Sequence, residues 1–132
     1  MDKEIIKIAS KTENYSFLKN YTHCKKLKNS TCGDEIKIYL IVKKGKIIKL
    51  KYEGECCIYS QASASLLSRN VKNKSSNNIE FLLKSSIELF QNKKVQLDKE
   101  LKSFLRIMNK TNILRKECLL LPLKATLKAL RN

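Results

Sequence analysis

The strongest constraint on this chain lies between Glu35 and Glu53, where apolar and polar residues alternate along two strand lengths joined through one glycine. Ile36, Ile38, Leu40 and Val42 fall on one side and Glu35, Lys37 and Tyr39 on the other, the period-two pattern of a half-buried strand. Lys43-Lys44-Gly45-Lys46 reads as a short turn, after which Ile48, Leu50 and Tyr52 alternate with Lys49, Lys51 and Glu53. This predicts an antiparallel hairpin with one apolar face. A hairpin also brings its two ends together, so Cys32, just before it, and Cys57, just after it, are expected at the same end of the sheet.

The flanking segments supply the cover. Ile5, Ile6, Ile8 and Ala9 predict a short helix, Tyr21-Thr22-His23-Cys24 a first strand, and Asn29 to Asp34 a loop that Gly33 lets turn sharply. Past the hairpin, Gly54-Glu55-Cys56-Cys57 runs into a helix whose Ala62-Ser63-Ala64-Ser65 places small side chains on every face, so another backbone can pack close. A thiol at the start of that helix, where Cys57 stands, meets unpaired N–H groups and the positive end of the helix dipole, which favours thiolate. Asn73 to Asn77 reads as a break and capping region. Ile79, Leu82, Leu83, Ile87 and Phe90, and then Leu97, Leu101, Phe104, Leu105 and Met108, follow helical spacing as core stripes. Asn109 to Asn112 is a polar link. Pro122 suits the first turn of a final helix carrying Leu123, Leu127 and Leu130, which puts Cys118 just before that helix. The pattern is α+β, a small antiparallel β-sheet of about three strands packed by helices. At 132 residues, positions 1–132 are expected to form a single domain.

Composition narrows the function. The first residues lack the apolar core of a secretion signal and no apolar run is long enough to span a bilayer, so a cytoplasmic protein is expected, without a membrane partner. Five cysteines in such a chain point to metal binding or thiol chemistry rather than to a disulfide framework. The net charge of +16 suits an anionic partner. Of the 28 basic residues, however, only Arg69, Arg106, Arg115 and Arg131 are arginine, leaving 24 lysines. Specific nucleic-acid recognition leans on arginine's planar fork, so the excess reads as dispersed, solvated lysine. A small basic nucleic-acid-binding protein with structural cysteines is the alternative reading.

Cys32, Asp34, Cys57 and Cys118 all sit at loop ends that can converge. Three thiolates and a carboxylate would make a tetrahedral zinc site, with Zn–S near roughly 2.3 Å. No Cys-x-x-Cys pair is present, and three unrelated buried cysteines fit the spacing equally well. A thiol hydrolase needs a Cys–His pair. The single histidine, His23, adjoins Cys24 in a strand, where neighbours point to opposite faces. Cys24 reads as a buried strand residue and His23 as a surface or edge residue.

Cys32-Gly33-Asp34, then Gly54-Glu55-Cys56-Cys57 with its Ala62-Ser63-Ala64-Ser65 helix, then Arg115 to Ala125, resemble in order the three signatures of the U-type iron-sulfur cluster assembly proteins. That family comprises IscU, SufU and the N-terminal part of NifU. The separation of 61 from Cys57 to Cys118, and Glu117 where IscU-type proteins carry a histidine, place the resemblance closest to the SufU branch. It departs from the family at Cys56, usually glycine, and at Leu123, commonly aromatic. The resemblance implies an IscU-like fold and Cys32, Asp34, Cys57 and Cys118 as ligands to Zn2+ or to a transient iron-sulfur cluster. It implies Cys32 as acceptor of sulfur from a cysteine desulfurase of the SufS/NifS type, and recipient apoproteins for the assembled cluster. Arg115, with Lys116, would offset the site's negative charge. By the same token the protein would be a scaffold and sulfur acceptor, an enzyme only in the sense of a zinc-dependent sulfurtransferase working with the desulfurase.

Overall fold

The structure, a computed structural model, describes residues 3–91, 93 and 102–132. Its elements are α1 (Lys3–Ala9), β1 (His23–Lys28), β2 (Glu35–Lys43), β3 (Lys46–Glu53), α2 (Ile58–Asn70), α3 (Ser76–Phe90), two 3-10 segments (Lys102–Arg106 and Lys110–Arg115) and α4 (Lys116–Leu130). The strands form one antiparallel sheet in the order β1-β2-β3. Lys44 and Gly45 both take positive φ at the β2-β3 turn, the two-residue geometry whose twist matches that of the strands it joins. Among the described residues no helix is long and apolar enough to cross a membrane.

The inner face of the sheet carries Ile36, Ile38, Leu40, Ile47, Leu50 and Tyr52, all buried. Helix α4 packs over β1 and β2 while α2 packs on β3 and against α4. Outside them, α1 lies on α2 and α3 on α4. The small-residue turn of α2 does what its composition predicts. Ala62, Ser63, Ala64 and Ser65 are all buried, and two of the serines bond to neighbouring backbones, Ser63 Oγ to the Leu119 carbonyl at 2.6 Å and Ser65 Oγ to the Lys11 carbonyl at 2.6 Å. The break before α3 is a capping box, with Ser75 Oγ accepting from Asn78 N–H and the Asn78 side chain accepting from Ser75 N–H.

Several expectations need correction. The first strand begins at His23 and runs to Lys28, because its pairing with β2 continues to Lys28↔Glu35. Cys24 is half-buried, on the sheet face opposite the helices. Tyr39 shares that outer face yet is buried, because Phe17 and Tyr21 lie against its ring and its hydroxyl donates to Glu53. On β3 the inward residue is Ile47, and Ile48 faces outward. Ile41 pairs with Lys49 and Val42 with Ile47, so Ile48 is the extra residue of a β-bulge that reverses the alternation beyond it. Of the second predicted stripe, Leu97 and Leu101 lie outside the described residues. Lys102–Arg106 is a 3-10 segment with Phe104 buried and Leu105 exposed. Asn109 Nδ2 donates to the Arg106 carbonyl at 3.0 Å and competes with an α-helical continuation there. The supposed link from Asn109 is itself largely 3-10, with Asn112 buried. Finally, α4 starts at Lys116, six residues before Pro122, so Pro122 is interior to the helix and Cys118 lies within its first turn.

Candidate metal centre

Four chain segments meet at the end of the sheet where the β1-β2 loop and the exit of β3 lie. The loop closes on itself through Asn29 N–H to the Asp34 carbonyl at 2.7 Å and Gly33 N–H to the Asn29 carbonyl at 2.8 Å. Gly33 has φ +77, which holds the chain in the sharp reversal the sequence predicts. Cys32 is left exposed on this loop, and Asp34, at its foot, is buried.

At the other strand end, Gly54 takes φ +144 so close to β2 that an added Cβ would stand 2.3 Å from the Glu35 carbonyl oxygen. This close passage lets Glu35 N–H bond to the Glu55 carbonyl at 3.0 Å and delivers Cys56 and Cys57 beside Asp34. Cys57 is the N-cap of α2, but its side chain caps nothing. Its N–H instead donates to Asp34 Oδ1 at 3.1 Å, so an aspartate from the neighbouring loop satisfies the helix start. Asp34 Oδ2 lies 2.9 Å from the hydroxyl of Ser60, one turn into α2.

Cys118 enters from α4, buried, with its Sγ 3.4 Å from that of Cys32. The donor atoms of Cys32, Asp34 and Cys118 all lie within 4.8 Å of one another. The structure therefore brings three of the four predicted ligands into one group. Cys57 adjoins the group through its backbone bond to Asp34, with its Sγ 3.9 Å from Ser60 Oγ. Tetrahedral zinc with Zn–S near 2.3 Å separates its sulfurs by about 3.8 Å. The Cys32 and Cys118 sulfurs need to part by only a few tenths of an ångström, so the donor set fits such an ion. Cys24, on β1, lies outside the group.

The electrostatics are those of a buried anion-rich site. Burial alone would raise the Asp34 carboxyl, but hydrogen bonds from the Cys57 and Ser60 side chains and from the Cys57 N–H outweigh it and hold the group below the usual carboxylate range. Burial, then the neighbouring thiols of Cys32 and Cys57, push the Cys118 thiol well up. Burial, then Asp34, pushes Cys56 up to about 12. Without a cation Cys118 and Cys56 favour the neutral thiol, and a metal ion bound at Cys118 would have to displace its proton. Arg115, expected to offset charge, is exposed at the N-cap of α4, with its guanidinium 5.4 Å from the centre of the Tyr59 ring. It thus bridges the first turns of the two helices that carry Cys57 and Cys118.

Ser60 was not singled out by sequence reasoning. Its hydroxyl also lies 2.8 Å from the Cys118 carbonyl oxygen. That carbonyl has no helical donor because Pro122, four residues on, has no N–H. A serine three residues after Cys57, read together with a proline four residues after Cys118, was the available signal.

A three-stranded antiparallel sheet backed by helices, with Cys, Asp and Cys gathered at one end, is the architecture of the U-type scaffolds of iron-sulfur cluster assembly. Residues 2–101 match the family described as the NifU-like N terminal domain, and the chain belongs to that family. The matched span stops short of Cys118. Over 40 residues the chain is 55% identical to the iron-sulfur cluster assembly scaffold protein IscU of Thermotoga maritima, a match covering 30% of this chain and 28% of that protein. Over 123 residues it is 33% identical to an uncharacterized protein of Borreliella burgdorferi, covering 93% and 84% of the two. Among solved structures, a candidate assembly scaffold for the SUF system from Fervidobacterium islandicum superposes with TM-score 0.87 at 24% identity, covering 98% of this chain and 96% of that one. The N-terminal part of a NifU-like protein from Brucella abortus gives 0.87 at 18% identity, covering 98% and 91%. At these identities the two structures speak for the fold.

Proposed function

We propose that this protein is a cytoplasmic iron-sulfur cluster assembly protein of the SufU type. In this reading it accepts sulfur from a cysteine desulfurase of the SufS/NifS type and holds a nascent cluster, its cargo, for delivery to recipient apoproteins. The observation that carries the proposal is the convergence of the Cys32, Asp34 and Cys118 donor atoms within 4.8 Å, with Cys57 tied to Asp34. Cys32, Asp34, Cys57 and Cys118 are the proposed ligands of a resident Zn2+, within one domain spanning 1–132. Bound zinc supplies Lewis acidity that keeps the thiols deprotonated and mutes their nucleophilicity.

Cys32 suits the acceptor role because it is exposed on a glycine-containing loop, whereas Cys118 is buried in the first turn of α4. Its thiolate attacks the outer sulfur of the donor's persulfide and a new S–S bond forms at Cys32 Sγ. The donor's own S–S bond breaks and its cysteine leaves as thiolate, so no external oxidant or reductant is consumed. Asp34, held in place by Cys57 and Ser60, contributes an oxygen ligand that is a harder and weaker partner for a soft metal than thiolate, which keeps the site exchangeable.

The test is metal analysis of protein purified without oxygen, followed by reaction with a desulfurase and free cysteine. The expected result is one zinc ion or one cluster per chain, lost on Ala substitution of Cys32, Asp34, Cys57 or Cys118 but kept in Cys24→Ala, with mass spectrometry finding the added sulfur on Cys32. Full metal occupancy in the four variants would overturn the ligand assignment. Sulfur on Cys56 would move the acceptor to the position where this chain departs from its family.

A further inference from the structure

We propose that Ser60 is a positioning residue of this centre, fixing the rotation of the Asp34 carboxylate and coupling it to the turn of α4 that carries Cys118. The inference rests on the ligand reading above. A serine inside a helix ordinarily faces solvent or bonds back to its own helix. Ser60 is fully buried and its hydroxyl lies between two acceptors on other elements, Asp34 Oδ2 at 2.9 Å and the Cys118 carbonyl at 2.8 Å. With Oδ1 taken by the Cys57 N–H and Oδ2 by Ser60, both oxygens of Asp34 are pinned from α2.

The hydroxyl has one proton, which serves one of its two acceptors at a time. While it points to Asp34 the carboxylate is clamped at both ends. When it turns to the Cys118 carbonyl, which Pro122 leaves without a helical donor, Asp34 loses the hydroxyl at Oδ2, keeps its bonds from Cys57 and is freer to rotate. The centre thus contains a two-position clamp on its oxygen ligand, and Pro122 is what makes the second position available.

Ser63 provides the control. Three residues further along α2, its buried hydroxyl bonds to the next carbonyl of α4, that of Leu119, at 2.6 Å. Its removal disturbs the same helix pair and leaves the Asp34 clamp in place.

The experiment titrates the full chain with Co2+, whose visible spectrum reports the ligand set, and obtains zinc affinity by competition with a chromogenic chelator. Ser60→Ala is expected to weaken zinc binding about 10–100-fold, the usual cost of removing an outer partner of a metal ligand, and to alter the cobalt bands. Ser60→Thr should restore most of the loss, and Ser63→Ala should leave affinity and spectrum unchanged. Equal losses in Ser60→Ala and Ser63→Ala, or in Ser60→Ala and Ser60→Thr, would reduce Ser60 to packing and overturn the proposal. So would a Ser60→Ala protein with wild-type affinity and spectrum. Wild-type protein that takes up no cobalt would overturn the underlying ligand reading instead, which keeps the two failures apart.

Discussion

Gly54→Ala is expected to be among the most damaging single-methyl additions in the described chain, and its cost can be built from the geometry. The added Cβ would stand 2.3 Å from the Glu35 carbonyl oxygen and 3.0 Å from Ile36 Cα, both backbone atoms of β2 that cannot swing aside. Holding a side chain at φ +144 costs roughly 1–3 kcal/mol. Forcing the strand ends apart costs a similar 1–3 kcal/mol, and losing the Glu35–Glu55 hydrogen bond adds about 1 kcal/mol. The sum, about 3–7 kcal/mol, is a large share of the 5–15 kcal/mol typical of whole domains. The same separation pulls Cys57 N–H from Asp34, so the proposed metal centre should weaken along with the fold. Gly45→Ala is the reference, because Gly45 has φ +75 and open space around it, leaving only the backbone term of roughly 1–2 kcal/mol. Urea denaturation of both variants without metal, with cobalt titration of whatever remains folded, measures the difference. Equal losses for the two glycines, or a Gly54→Ala protein that binds cobalt as wild type does, would refute the close-approach argument.

Two further outcomes are expected. The bulge makes Ile47→Ala cost about 2–5 kcal/mol and Ile48→Ala well under half as much, which the same denaturation curves distinguish; the reverse order would restore plain alternation. In metal-free protein, the raised Cys56 and Cys118 thiols stabilise the fold fully below the ordinary thiol value of 9.0 and progressively less as pH rises from there, toward about 12 for Cys56; the denaturation midpoint should therefore hold up to about pH 9 and drop above it, less steeply in Cys56→Ala.

The hairpin and the loop at Gly33 were legible from strong local patterns, strict alternation and a glycine in a polar stretch, and the closeness of Cys32 to the start of α2 followed from the hairpin, which brings its two ends together. The misreadings share a different cause. Ile47 and Ile48 are the same residue type, so alternation alone cannot say which one faces the core, and the bulge that decides it is a property of pairing with β2. Pro122 was assigned to a helix start by the usual preference for that position. Here the carbonyl it orphans is taken by Ser60 from another helix, a tertiary compensation that no local window contains. Arg115 was expected to offset charge at the centre; its observed place, stacked on Tyr59, depends on how α2 and α4 meet.

The separation of the cysteines along the chain also bears on when the centre can exist. Cys32 and Cys118 are 86 positions apart, and α4 follows the hairpin, α2 and α3 in chain order. During synthesis the hairpin and α2 emerge long before α4, so on the proposed ligand set the growing chain would hold Cys32, Asp34 and Cys57 with one coordination corner missing. Closing so long a loop is entropically costly until the α4 interface rewards it. On the proposed ligand set, capture of metal or sulfur would report that α4 has docked, and an unfinished or clipped chain would have no complete centre with which to withhold cargo from intact copies.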